Sequence, residues 1–239
     1  MSNHAILNPA DHGELRVHTA ASADLGDNVM ACPTVPAEFR QVQAHYPIVL
    51  RRDLASGQLG ALALFGFETG ENLFLRDERW DATYRPLAMA IQPFLVGRPD
   101  TPEGVGQVHV DLDHPRISTN GEGVRAFDAE GKPTPFLEDI ASKLGDLDFA
   151  HREASDFYAA LDRYDLAEPF TLEVTLDDGS TNSLVGYHTI NEEKLAALDG
   201  DALAYLMASG HLLRIAMILA SLSHFADLVA RKNRLSHGG

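Results

Sequence analysis

The sequence predicts an α+β fold, with a mixed or antiparallel sheet that a C-terminal hairpin completes and three or four helices cover. Three observations carry this expectation. The run Asp177-Asp178-Gly179-Ser180-Thr181-Asn182 lies between two alternating segments, Phe170–Leu176 and Ser183–Ile190, and its Asp-Gly step supplies hairpin turn chemistry. Pro135–Asp165 repeats apolar residues at helical spacing: Phe136, Leu137, Ile140, Leu144 and Leu147, then Phe157, Leu161 and Tyr164. In the front half, Ile48–Arg52 and Gln58–Phe67 are short apolar runs that read as strands.

The remaining elements follow in chain order. Residues 1–34 read as an extended arm punctuated by Pro9, Gly13, Gly26 and Pro33, with a short strand at Glu14–His18. Residues 35–239 read as a single domain. Pro36 suits the first turn of a short helix over Ala37–His45, and Pro47 ends it by pushing the preceding residue out of the helical region. Glu68-Thr69-Gly70-Glu71 reads as a turn with positive φ at Gly70. A helix is expected over Trp80–Ile91, interrupted at Pro86. Strands are expected at Phe94–Gly97 and Gly106–Leu112, around the loop Arg98–Gly104, and Ile117–Phe127 reads as irregular. Gly145 and Asp148 divide the 135–165 segment into two helices. Asn191 is a good N-cap for a helix over Glu192–Ser209, with Gly210 as its terminal glycine. The last helix, His211–Asn233, is apolar nearly all round in its middle, so it is expected in the core with neighbours on several sides.

Charge narrows the partners. The chain of 239 residues carries a formal charge of −16. Residues 51–98 balance six Arg against six acids, whereas residues 127–201 hold eighteen acids and five bases. Such an excess opposes nucleic acid and anionic membranes, which need clustered Lys and Arg. The acidic block reads as a solvated face. The single cysteine, Cys32, permits no internal disulfide and fits a reducing compartment as a small buried or loop residue. The N-terminus has neither a basic n-region nor an apolar h-region, so no signal peptide is expected. The expected location is the cytoplasm, with export by a route lacking an N-terminal signal as the alternative. The longest apolar run, Ile215–Leu222, is eight residues long. A bilayer span needs about 20 apolar residues, so no membrane insertion is expected.

Phosphate-loop, dinucleotide, serine-hydrolase, zinc-protease and paired-cysteine motifs are all missing from the sequence. His109 and Asp111 stand two apart, so a strand would place both on one face, where a distant His could complete an open iron site. That pattern arises readily by chance among eleven His, and His109 reads as an edge-strand residue. No metal and no cofactor are expected. Trp80, Tyr84 and Arg85 are spaced so that a helix would stack the aromatics beside the guanidinium, a surface suited to a flat or anionic ligand. The structural alternative has Trp80 in the core and Arg85 paired with Glu71, Asp77 or Asp81. Candidate binding residues are therefore Trp80, Tyr84, Arg85, Glu71, Asn72 and Arg51, although Asn72 after Gly70-Glu71 also reads as a turn former.

Several short motifs carry a resemblance. They are Val35-Pro36 with Glu38-Phe39; Tyr46-Pro47-Ile48-Val49; Gly66 and Glu71-Asn72-Leu73-Phe74; Trp80 with Tyr84 and Pro86; and Pro93-Phe94. Asp111, Gly121 and Phe127 follow, and weaker matches run through Gly179, Gly186, Lys194-Leu195 and the Gly210–Leu222 segment. In these the chain resembles the SapC family, bacterial proteins named for a surface-layer locus. The resemblance implies a protein without recognised catalytic residues, a companion of outer-membrane nutrient uptake through TonB-dependent receptors. The expected function is binding a polypeptide or a small-molecule ligand as an accessory module. A surface-layer structural role and an oxygenase-like iron enzyme are the alternatives.

Overall fold

The computed structural model describes residues 3–97 and 106–237; the expected loop Arg98–Gly104 lies outside them. The strands are β1 (His4–Ile6), β2 (Arg16–Val17), β3 (Ala31–Thr34), β4 (Ile48–Arg52), β5 (Leu59–Leu64) and β6 (Leu75–Arg76). They continue as β7 (Arg79–Trp80), β8 (Phe94–Gly97), β9 (Gln107–Asp111), β10 (Val124–Arg125), β11 (Ala167–Thr175) and β12 (Thr181–Ile190). The helices are α1 (Pro9–His12), α2 (Phe39–Val42), α3 (Leu87–Ala90), α4 (Pro135–Arg163), α5 (Glu192–Ala196), α6 (Gly200–Ala208), α7 (His211–Ser221) and α8 (His224–His237). The fold is α+β, and every strand pairing among the described residues is antiparallel.

The chain divides into two compact units. The first takes the chain up to Asn28, Leu75–Asp81 and Leu87–Phe149. Its three-stranded sheet, in the order β1-β9-β8, holds the core residues Phe94 and Val110, packed with Phe127, Leu137, Ile140 and Leu144. An ion pair is also enclosed there: Arg116 Nη2 lies 2.6 Å from Asp27 Oδ2. The second unit takes Val29–Phe74, Ala82–Pro86 and Ala150 onward. Its five-stranded sheet runs β11-β12-β4-β5-β3, so the C-terminal hairpin joins the front-half strands through the β12–β4 edge. Phe39, Tyr46, Phe65, Phe157, Leu161, Ile215 and Ile218 are fully enclosed in this unit.

Four helix expectations are corrected. The helix over Trp80–Ile91 does not form. Asp77 and Glu78 take positive φ (49° and 57°) and close a tight β6–β7 hairpin, and Pro86 disfavours helix before it, leaving only α3. The 135–165 segment is one continuous helix of 29 residues. Its Gly145 costs about 1 kcal/mol against alanine, which the burial of Leu144, Phe157 and Leu161 outweighs. The helix over Glu192–Ser209 is two, because Asp199 acts as a second N-cap and accepts the Ala202 N–H at 2.8 Å. The last helix is broken at Leu222–Ser223, where Ser221 and Ser223 hydroxyls donate to the carbonyls of Ile218 and Ala220 (2.6 and 2.9 Å).

Nor is that last segment surrounded on several sides. In α7 one stripe is buried (His211, Ile215, Ile218, Ser221), while Leu213 is 52% exposed. By length and composition alone His211–Leu235 is long and apolar enough to cross a membrane, and 22% of its most apolar window is buried in the fold.

Candidate ligand cleft

A cleft of about 1110 Å³ opens in the second unit between the β4–β5 hairpin and the C-terminal half of α4. Its geometry begins in the hairpin turn. Asp53 Oδ1 accepts the N–H groups of Ala55 and Ser56 and the Ser56 hydroxyl (3.1, 2.7 and 2.8 Å), and these bonds, that of the Ser56 N–H foremost, hold its carboxyl below the ordinary value. Arg52 is committed to the same corner: it donates to the Gly57 carbonyl at 2.8 Å and to Asp162 of α4 at 2.7 Å. Arg51, its exposed neighbour, makes no hydrogen bond or ion pair among the described residues and lines the cleft.

The opposite wall is a single face of α4. His151, Ser155, Tyr158 and Asp162 recur every three or four residues, the spacing that aligns side chains on a helix. The Tyr158 oxygen accepts the Ala61 N–H at 3.0 Å. Burial pushes the Tyr158 phenol up to about 12, against a smaller opposing effect of that bond. The phenol therefore keeps its proton at neutral pH and remains a donor. Among the described residues its O–H has no acceptor. Leu59, Leu62, Ala154 and Ala159 supply apolar lining. The cleft thus combines an apolar floor with two unspent donors, Arg51 and Tyr158, and its one helix carboxylate, Asp162, is already neutralised by Arg52.

The sequence-selected residues other than Arg51 lie elsewhere. Tyr84 is half-buried and donates to Glu38 Oε1 at 2.7 Å, while Glu38 Oε2 accepts from Thr34 at 3.4 Å. The Tyr46 hydroxyl donates to the Tyr84 carbonyl, and His45 Nε2 lies 2.7 Å from the Thr83 hydroxyl. These bonds fasten Ala82–Pro86 to the region around α2. Arg85 is half-buried in the same neighbourhood, where its charge acts on the Cys32 thiol. That thiol is pushed far up, first by burial and then by Glu38, and stays protonated. Asn72 accepts the Phe74 N–H at 3.0 Å, which is the turn-forming role. Glu71 accepts the Phe67 N–H at 2.8 Å and pairs with Lys232 of α8. Phe74 meets Tyr46 and Phe65 edge to face at 4.7 and 6.1 Å, and Arg231 lies 4.2 Å over its ring. Trp80 is half-buried on β7 in the first unit, outside any helix.

The short motifs of the front half thus build the aromatic core and its polar rim. The model of one family covers them and nearly everything after them, matching residues 7–228. The chain belongs to the SapC family. No curated protein and no solved structure matches it. In this SapC chain, Glu38, Tyr84, Tyr46, Phe74 and Asn72 are joined in series by the contacts above.

His109 and Asp111 lie on β9 as expected, but β9 is the middle strand of its sheet, paired on one side with β1 and on the other with β8, so His109 is not the edge-strand residue the sequence suggests. The His109 ring lies across the adjacent strand, where a Cβ added to Gly97 would stand 2.0 Å from its Nε2. Asp111 accepts the N–H groups of Asn3 and Asp113, both at 3.2 Å. Among the described residues no three His, Cys, Asp or Glu side chains are grouped so as to hold a metal.

Tyr158 and Ser155 carry no functional signal in the sequence, and His151 enters there only as one of the distant His that could complete an iron site. On the 135–165 helix they fall on the polar side of the apolar stripe and look like solvated positions. Only the arrival of β5 opposite them, from about a hundred residues earlier, turns that side into a wall. The first unit has a smaller pocket of about 390 Å³, lined by Ile6, Val108, Phe127 and Leu137 with Gln107 and Glu138 as polar members.

Proposed function

We propose that this SapC protein is a non-enzymatic binding module, an accessory of an outer-membrane nutrient uptake system, and that it holds its ligand in the cleft between the β4–β5 hairpin and α4. The observation that carries the reading is the presence in one cleft of Arg51 and Tyr158, two donors without acceptors among the described residues, over apolar lining. Sites of this kind, mostly apolar with a few oriented polar groups, suit ligands better than proton-transfer chemistry. The cleft's other charges are spent: Arg52 on Asp162, and Asp53 on its own turn. Uptake association comes from the family resemblance, as does the expectation of a polypeptide or small-molecule ligand. The protein acts in the cytoplasm in this reading.

The test uses Gly60→Trp. Nothing lies within 4 Å of a Cβ built on Gly60, which lines the cleft, so a larger side chain there starts from open space. Peptide and metabolite fractions of a cell extract are passed over both proteins, and retained species are identified by mass spectrometry. Species retained by the natural protein and lost by Gly60→Trp are expected. Identical retention by two folded proteins removes the cleft from consideration.

A further inference from the structure

The cleft sits where one strand of the sheet stops short. β3 pairs with β5 only as far as Thr34, opposite Ala61, whereas β5 continues to Leu59. In an antiparallel ladder the N–H and C=O of alternate residues point to opposite neighbours. Leu64 donates to the Pro47 carbonyl at 3.0 Å, on the β4 side. Ala61 donates to Tyr158, on the other side. By this alternation the Leu59 N–H and C=O point away from β4, to the side from which β3 is missing.

We propose that the cleft takes an extended peptide segment carrying a carboxylate, which adds to the edge of β5 beyond Thr34. This rests on the cleft being the ligand site. The peptide main chain exchanges hydrogen bonds with Leu59, donating to its carbonyl and accepting from its N–H. A further peptide carbonyl accepts the Tyr158 O–H. The carboxylate meets the guanidinium of Arg51, a β4 residue in register with Gly60 that makes no hydrogen bond or ion pair among the described residues. Two features favour a peptide over a compact anion. The outward-facing N–H and C=O of Leu59, beyond the end of β3, are matched by another main chain, the mode by which extended peptides augment sheets. The gap continues the line of β3, so a strand entering it has the sheet's own register to follow.

Charge favours a carboxylate. The unspent cation of the cleft stands in a chain of net charge −16, so an acidic segment is drawn to this position while the rest of the surface repels it.

The experiment measures fluorescence polarisation with a labelled pentapeptide, Thr-Val-Thr-Val-Glu with an amidated C-terminus. Companion peptides replace Glu by Gln, replace it by Gln with a free C-terminal carboxylate, or N-methylate the two central amides. Hexanedioate serves as a compact competitor. The Glu peptide is expected to bind, and N-methylation to weaken it by about tenfold through loss of main-chain pairing. Arg51→Gln is expected to weaken the Glu peptide by about tenfold and the Gln amide hardly at all. The two carboxylate peptides distinguish a side-chain acid from a chain terminus, and binding of either supports the proposal. Equal affinity for the N-methylated peptide, or equal affinity for hexanedioate, overturns it. If no peptide binds while Gly60→Trp still loses retained metabolites, the peptide assignment falls and the cleft remains. If neither effect is seen, both fall.

Discussion

Arg116 and Asp27 face each other across 2.6 Å with side chains only 2% and 0% exposed. Neither charge is simply paired. Arg116 Nη1 also donates to the carbonyls of His18 and Ala20 at 2.8 and 2.9 Å, and Asp27 accepts the Ser22 N–H at 2.9 Å. The pair gathers residues 18–27 around one guanidinium, a segment otherwise poor in regular structure. Removing either partner strands the other charge in a buried site. Asp27→Asn and Arg116→Met are each expected to cost about 3–5 kcal/mol in urea denaturation. The double variant should fall short of additivity by about 1–3 kcal/mol. Additive losses would mean that the two charges do not act as a unit.

The His109 ring lies over Gly97, where a side chain would meet it. Gly97→Ala places a methyl 2.0 Å from Nε2, too close for any rotamer-preserving fit, and is expected to cost about 1–3 kcal/mol. Adding His109→Ala should return much of that loss, because the clash disappears with the ring. Failure of the second substitution to rescue the first would locate the strain in the backbone. The same pair of proteins, purified without an affinity tag and treated with Fe(II), tests the discarded iron reading. Near-stoichiometric iron that vanishes with His109→Ala would restore it.

Lys232 ties α8 to the Glu71 turn. Its amine pairs with Glu71 and lies 3.4 Å from Glu68, with 15% of the Lys232 side chain and 16% of Glu71 exposed. Glu71→Gln removes the charge yet keeps the shape. It is expected to lower stability by about 1–3 kcal/mol, and to speed amide exchange in α8 more than in β4 or β5. Uniformly faster exchange would show that the contact serves the whole unit and not the last helix.

Stability should be greatest between about pH 7 and 9. His45, His114, His188 and His211 are each held below the ordinary 6.5, chiefly by burial. The folded protein keeps them neutral while the unfolded chain takes up protons below about 6.5, so stability is lost as pH falls through that value. Cys32, Tyr84 and Tyr158 are shifted the other way, again chiefly by burial. The folded state retains their protons, and stability is lost as pH rises beyond the ordinary 9.0 of the thiol and 10.0 of the phenols. Thermal melts from pH 5 to 11 read both arms. A midpoint still climbing at pH 11, or highest at pH 5, contradicts the assignment.

The His211–Leu235 segment is expected to stay with the fold and not enter a bilayer. Its buried stripe packs through His211 against Phe157 (ring centroids 5.6 Å apart), and Ser221 accepts the Ile48 N–H at 2.8 Å. Untagged protein should remain in the supernatant after carbonate extraction of cell membranes. Recovery in the carbonate-resistant pellet would reverse this expectation.

Local chemistry was readable from the chain alone. Asp178-Gly179 announced the β11–β12 hairpin, Asn191 capped α5 as expected, and Gly210 adopts the positive φ its place required. The β4 and β5 strands and the SapC pattern were likewise visible, because turn chemistry, caps and alternation are set by neighbours a few residues away. What failed was also instructive: the serines at 221 and 223 and the Asp199 cap divided helices that periodicity alone ran together. The cleft was not readable at all. Arg51 was selected, but Tyr158 and Asp162 were not, since Ala61 and Tyr158 are 97 residues apart and Arg52 and Asp162 are 110 apart. The point at which β3 ends beside β5 is a matter of sheet register, decided by burial and pairing across the whole second unit. Tertiary packing alone determined which donors were left unspent, because whether a polar side chain is free depends on every element that comes to lie beside it.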